Sequence, residues 1–143
     1  MADDLPEPPF RVGERFEKSL VLDAAAIRAF AEMVGDFNPL HHDEAYARAS
    51  RYGGLIASGT HSSALMATFA TERAPGVGLD LAFRFHKPVK ADDPLKLAWT
   101  VESVEPKPRL GGYIVAFVGE LTDGGGEVAV SGRMKTLALK DDG

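Results

Sequence analysis

Hydrophobic and polar positions divide the chain into a helical first half and a strand-like second half. Glu14 to Leu22 reads as a first strand. Asp23 stands where a helix N-cap is wanted, and Ile27, Phe30, Ala31 and Val34 recur at the i, i+3, i+4, i+7 spacing of an amphipathic helix that stops near Gly35. Asn38-Pro39 predicts a turn, because a residue before proline is pushed out of the α region. Asp43 to Ser50 predicts a second, short helix ended by Gly53-Gly54. Ser58 is placed to cap the longest helix, Gly59 to about Arg73, whose interior (Ala64, Leu65, Met66, Ala67, Phe69, Ala70) is apolar on most sides and is expected to be buried.

From Gly78 onward the period changes. Runs of strand character are expected at about 79–87, 95–105, 112–122 and 127–139, separated by clusters of Pro, Gly and Asp. Leu95, Leu97, Trp99 and Val101 alternate with Lys96, Ala98, Thr100 and Glu102, the clearest half-buried strand in the chain. Helices first and antiparallel-type strands second is an α+β order, and one apolar helix wrapped by a curved sheet buries both. Residues 1–13, with Pro6, Pro8 and Pro9, read as an irregular N-terminal arm, and 14–143 as one domain.

Composition narrows the function classes. A chain of 143 residues with 45% hydrophobic and 26% charged positions is ordinary for one globular domain. A formal net charge of −5 opposes nucleic-acid binding, which draws its affinity from clustered Lys and Arg. There is no Cys, which excludes disulfides, thiolate metal sites and a Cys nucleophile. The acidic, proline-rich start lacks the basic-then-apolar order of a signal peptide, and no apolar run approaches the ~20 residues of a membrane span, so a cytoplasmic protein without membrane association is expected.

Two segments carry candidate chemistry. Val34 to Asp43 gathers turn formers and ionisable groups just after a packed helix. Asp36 and His41 supply a carboxylate and an imidazole, the pair that addition of water to an activated double bond requires. They also suit an ordinary turn and cap, and spacing alone leaves both readings open. His42 and Asp43 read as surface or capping residues, and no metal site is expected. The second segment, Ile56 to His61, opens the buried helix. Free backbone N–H groups there suit an oxygen that becomes enolate-like, and Gly59 lets a ligand approach closely; a plain N-cap is the alternative. His61 reads as core or interface filler, and Ser62 and Ser63 lack the context of a nucleophile elbow. Arg84, Lys87, Lys90, Lys107 and Arg109 suit solvent-facing charges or contacts to a coenzyme phosphate.

The string Gly35-Asp36-Phe37-Asn38-Pro39-Leu40-His41-x-Asp43, followed by Gly54-Leu55-Ile56-Ala57-Ser58-Gly59, resembles the signature of the MaoC-like dehydratases, which include the R-specific enoyl-CoA hydratases. Phe85-His86-Lys87-Pro88-Val89 looks like that family's strand before a tight turn. The resemblance covers about residues 14–139 and implies a hotdog fold, with two protomers joined edge to edge as a homodimer or within a higher homo-oligomer. It implies that Asp36 and His41 activate the water added to a trans-2-enoyl thioester, that the Gly59 amide polarises the thioester carbonyl, and that Asn38, Pro39, Ser58 and Thr60 contact substrate. The implied substrate is an acyl-CoA or acyl carrier protein thioester, with no cofactor. The chain departs from many R-hydratases in carrying Ser58-Gly59 where they have His-Gly. Thioester hydrolysis on the same fold and a non-catalytic acyl-binding subunit are the competing functions.

Overall fold

In the computed structural model, which describes residues 5–139, strand β1 (Arg15–Leu20) leads into helix α1 (Ala24–Met33). The first four residues of the expected arm, and residues 140–143 of the expected domain, lie outside the described residues. Asp23 caps α1 by accepting the Ala26 amide at 2.8 Å, and Ile27 and Ala31 turn inward from it. A single 3-10 turn (Pro39–His41) and a short helix α2 (Glu44–Ala49), capped by Asp43, follow. Helix α3 (Gly59–Thr71) then lies on one face of a sheet built from β1, β2 (Gly76–Phe85), β3 (Leu95–Lys107), β4 (Gly112–Thr122) and β5 (Val128–Leu139).

The sheet is antiparallel throughout, in the order β1-β3-β4-β5-β2. Leu95, Leu97, Trp99 and Val101 of β3 are buried as their alternation requires. Trp99 is fully buried, and its indole N–H donates to the Met66 carbonyl of α3 at 2.8 Å, tying helix to sheet. The neighbouring strands make room for it with glycine. Gly119 pairs with Trp99 across β3 and β4, and with Gly132 across β4 and β5; a β-carbon at Gly119 would sit 2.5 Å from the indole.

Strand β2 begins earlier than expected. Its Gly76 and Gly78 look like turn residues, yet they pair with Ala138 and Thr136 of β5. At Gly76 the approach is so close that a β-carbon would lie 2.6 Å from the Leu137 carbonyl, so glycine marks a tight strand contact there rather than a bend. Beyond β2 no further strand pairs among the described residues, and Val77, Leu79, Leu81 and Phe85 are half exposed along that edge.

Residues 5–14 carry no regular element, but they are packed. Phe10 is 2% exposed, meets Phe117 edge-on at 5.1 Å between ring centroids, and carries the Arg73 guanidinium over its face at 4.5 Å. The Gly13 amide donates to the Val101 carbonyl at 2.8 Å, fastening the segment to β3.

Candidate active site

The loop between α1 and α2 is fixed from its backbone outward. The Asp36 amide donates to the Ala31 carbonyl at 2.8 Å as α1 unwinds, and Gly35 takes the positive φ of 76° that this turn demands. Asn38 accepts the Leu40 amide at 3.0 Å and starts the 3-10 turn that carries His41. His42 Nε2–H donates to the Asp36 carbonyl at 2.7 Å, closing the loop on itself. His42 thus serves the loop's backbone and Asp43 caps α2, so neither is a free ligand.

His41 is 7% exposed, and its Nδ1 lies 2.7 Å from the Ile56 carbonyl. A carbonyl only accepts, so Nδ1 carries the proton and Nε2 presents its lone pair when the ring is neutral. That Nε2 stands 3.3 Å from Asp36 Oδ2. Asp36 Oδ1 accepts the Asn38 amide at 3.2 Å, and Oδ2 accepts the Ser58 hydroxyl at 3.0 Å. These two bonds, the Asn38 amide first, hold the Asp36 carboxyl below its ordinary range. The carboxylate form therefore favours the fold above the ordinary carboxylate range, and that contribution is lost as pH falls through the lowered value.

His41 and Gly59 both line a cavity of about 310 Å³, with Ser62 on α3 and Phe85, Val89 and Val130 from the sheet side. Tyr52 and Lys87 lie at the same cavity. Lys87 is itself held by Asp123 at 2.5 Å and Glu127 at 2.9 Å, fastening the segment after β2 to the turn between β4 and β5. Gly59 is tight against the sheet, since a β-carbon there would lie 3.3 Å from the Phe85 ring. Helix α3 has no side-chain cap, so its first-turn amides are not taken by a side-chain acceptor.

The expected residues separate into two groups. His41 and Gly59 line the cavity at one end of α3, and Asp36, which does not itself line it, stands against His41. Asn38, Pro39, Ser58 and Thr60, expected at substrate, do not line the cavity. Asn38 and Pro39 are consumed in building the turn, Thr60 faces outward from the first turn of α3, and Ser58 is buried with its hydroxyl on Asp36 instead of capping its own helix. His61 stacks on Phe30 at 4.4 Å, its buried Nδ1 without a partner, and burial pushes its pKa down. Its neutral form therefore favours the fold at and above the ordinary imidazole range, a contribution lost on acidification. Sequence reasoning passed over Ser62, Tyr52 and Val130 as cavity residues. Ser62 had a signal, its place one turn beyond Gly59 on the same helix, whereas Val130 is brought in only by the β2–β5 pairing.

Helix α3 carries no acidic residue between Gly59 and Thr71, and Glu72 at its far end is engaged with Lys18 at 2.8 Å. No helix of the described residues is long and apolar enough to cross a membrane.

The chain is similar to known proteins. A "UPF0336 protein" of Streptomyces avermitilis is 34% identical over 143 residues, covering 93% of this chain and 87% of that protein. An (R)-specific enoyl-CoA hydratase of Aeromonas caviae is 30% identical over 125 residues, covering 85% of this chain and 90% of that one. Among solved structures, the unliganded R-hydratase of Pseudomonas aeruginosa superposes with a TM-score of 0.83 at 30% identity, covering 94% of this chain and 86% of that one. The family model described as the MaoC like domain matches residues 11–115, a stretch that holds the Asp36–His41 loop, the uncapped end of α3 and the strand facing it. A match that runs through all of these at once, over most of the chain, places the protein in the MaoC-like dehydratase family, with the hotdog fold of its R-hydratase relatives.

Proposed function

We propose that the chain is a hydratase that adds water reversibly to a trans-2-enoyl thioester, presented on coenzyme A or an acyl carrier protein, to give the (R)-3-hydroxyacyl thioester. The observation that carries this reading is the 3.3 Å approach of Asp36 Oδ2 to His41 Nε2 beside a cavity that Gly59 also lines. A carboxylate and an unprotonated ring nitrogen that close have complementary use for one water, which donates a hydrogen to each. As the water oxygen bonds to C3, one of its protons passes to His41 Nε2 and the double-bond electrons move to the thioester oxygen. The amino end of α3, with the Gly59 amide, stabilises that enolate. The imidazolium then returns the proton to C2, so one water is added and no cofactor is consumed.

Hydrolysis of the thioester is disfavoured because α3 presents no carboxylate along its length. Incubation with crotonyl-CoA decides between the two. Hydration predicts loss of the enoyl absorbance, an (R)-3-hydroxybutyryl product and no released thiol. Stoichiometric thiol release would overturn the reading.

The free edge of β2 supports a homodimer in which two copies pair β2 to β2. An unpaired, apolar strand edge is costly to leave open, and self-pairing of one edge about a two-fold axis closes it. Leu81→Lys, placing a charge in the middle of that edge, is expected to convert a dimer into a monomer in light scattering.

A further inference from the structure

Ser58 stands at the start of α3 and does not act as a cap. Its side chain is 2% exposed, and its hydroxyl reaches back to Asp36 Oδ2 at 3.0 Å. An ionised carboxylate is the stronger acceptor, so the hydroxyl is drawn to it. Asp36 is otherwise held only through Oδ1, by the Asn38 amide, and about a third of its side chain is open to solvent. Without a donor on Oδ2 the carboxylate is free to swing that oxygen away from His41 and into water.

Resting on the hydration reading above, we propose that Ser58 is a positioning residue for that reaction. Its hydroxyl locks the Asp36 carboxylate in the rotamer that faces His41 and engages the oxygen nearest that ring, which leaves His41 as the one group that carries the proton from water to C2. The two side chains are thereby fixed by one short stretch, since Ile56 orients the imidazole and Ser58 the carboxylate. The same turn of the hydroxyl leaves the first turn of α3 without a side-chain cap, which keeps the Gly59 end of the helix available to the thioester oxygen. The other titratable groups facing Asp36 are His41 and His42, and His42 is committed to the Asp36 carbonyl. Both oxygens of Asp36 therefore accept bonds that favour the ionised form, and a carboxylate so held is a poor proton acceptor.

The test is a titration of the Asp36 carboxyl by carbon-13 NMR, assigned by its loss in Asp36→Asn, together with the split of kcat against KM for crotonyl-CoA. Both are measured for the wild type, Ser58→Ala and Ser58→Cys. Cysteine is nearly isosteric and a weaker donor, so it reports the same effect if the alanine variant folds poorly. In Ser58→Ala the Asp36 titration is expected to move to higher pH, with kcat about tenfold lower and KM little changed, as suits loss of one charge-assisted hydrogen bond. Ser58→Cys should fall between. An Asp36 titration unmoved in folded variants, or a kcat equal to that of the wild type, overturns the proposal. If the wild type hydrates no enoyl thioester, the hydration reading fails by itself, while the carboxyl titration still decides whether Ser58 governs Asp36.

Discussion

Replacing Asp36 by Asn, or His41 by Ala, is expected to lower kcat for crotonyl-CoA hydration by about a hundredfold to ten-thousandfold, the usual range for a positioned acid–base group. The two variants remove different things. Asparagine has one acceptor oxygen where aspartate has two: with that oxygen kept on the Asn38 amide, its NH2 faces the Ser58 hydroxyl, which turns to accept, so the loop stays tied while the charge is lost. Alanine at 41 removes the proposed proton carrier and strands the Ile56 carbonyl, costing about 1–3 kcal/mol of stability for the unpaired group. The check is therefore a kcat measured beside a thermal midpoint. A folded Asp36→Asn protein that hydrates at the wild-type rate would remove the carboxylate from the mechanism.

The largest effect on stability is expected at Trp99. Truncation to Ala should cost about 3–5 kcal/mol, the range for deleting a buried large aromatic, and leave the Met66 carbonyl of α3 without its donor. The glycines at 119 and 132 cannot fill the space, having no side chains to move into it, so the cavity persists. For a chain of this size the thermal midpoint should fall by roughly 10 °C. Chemical denaturation checks the figure; a loss under about 1 kcal/mol would mean that the helix settles onto the sheet without the indole.

Local chemistry made most of the fold readable. The Asp23, Asp43 and Gly35 signals set the boundaries of α1 and α2, and the alternation from Leu95 to Val101 set the buried face of β3. The start of β2 was misread because Gly76 serves a close strand contact and Gly78 pairs with Thr136 just before a register shift, both of which depend on β5 more than fifty residues later. The candidate site was readable where its groups share one loop, as Asp36 and His41 do. It was not readable where the assignment depends on which way a side chain turns. Ser58 has the identity and position of a cap, and only the nearby carboxylate of Asp36 redirects it. Phe10 was likewise assigned to an arm by its proline neighbours, although a tertiary gap beside Phe117 takes its ring.

Strand β2 serves two neighbourhoods at once. Phe85 abuts Gly59 at the cavity and belongs to the strand whose outer edge is unpaired. With two copies joined along that edge, occupancy of the cavity and self-association become linked equilibria. A ligand that steadies Phe85 tightens the pairing by the same factor that pairing tightens the ligand.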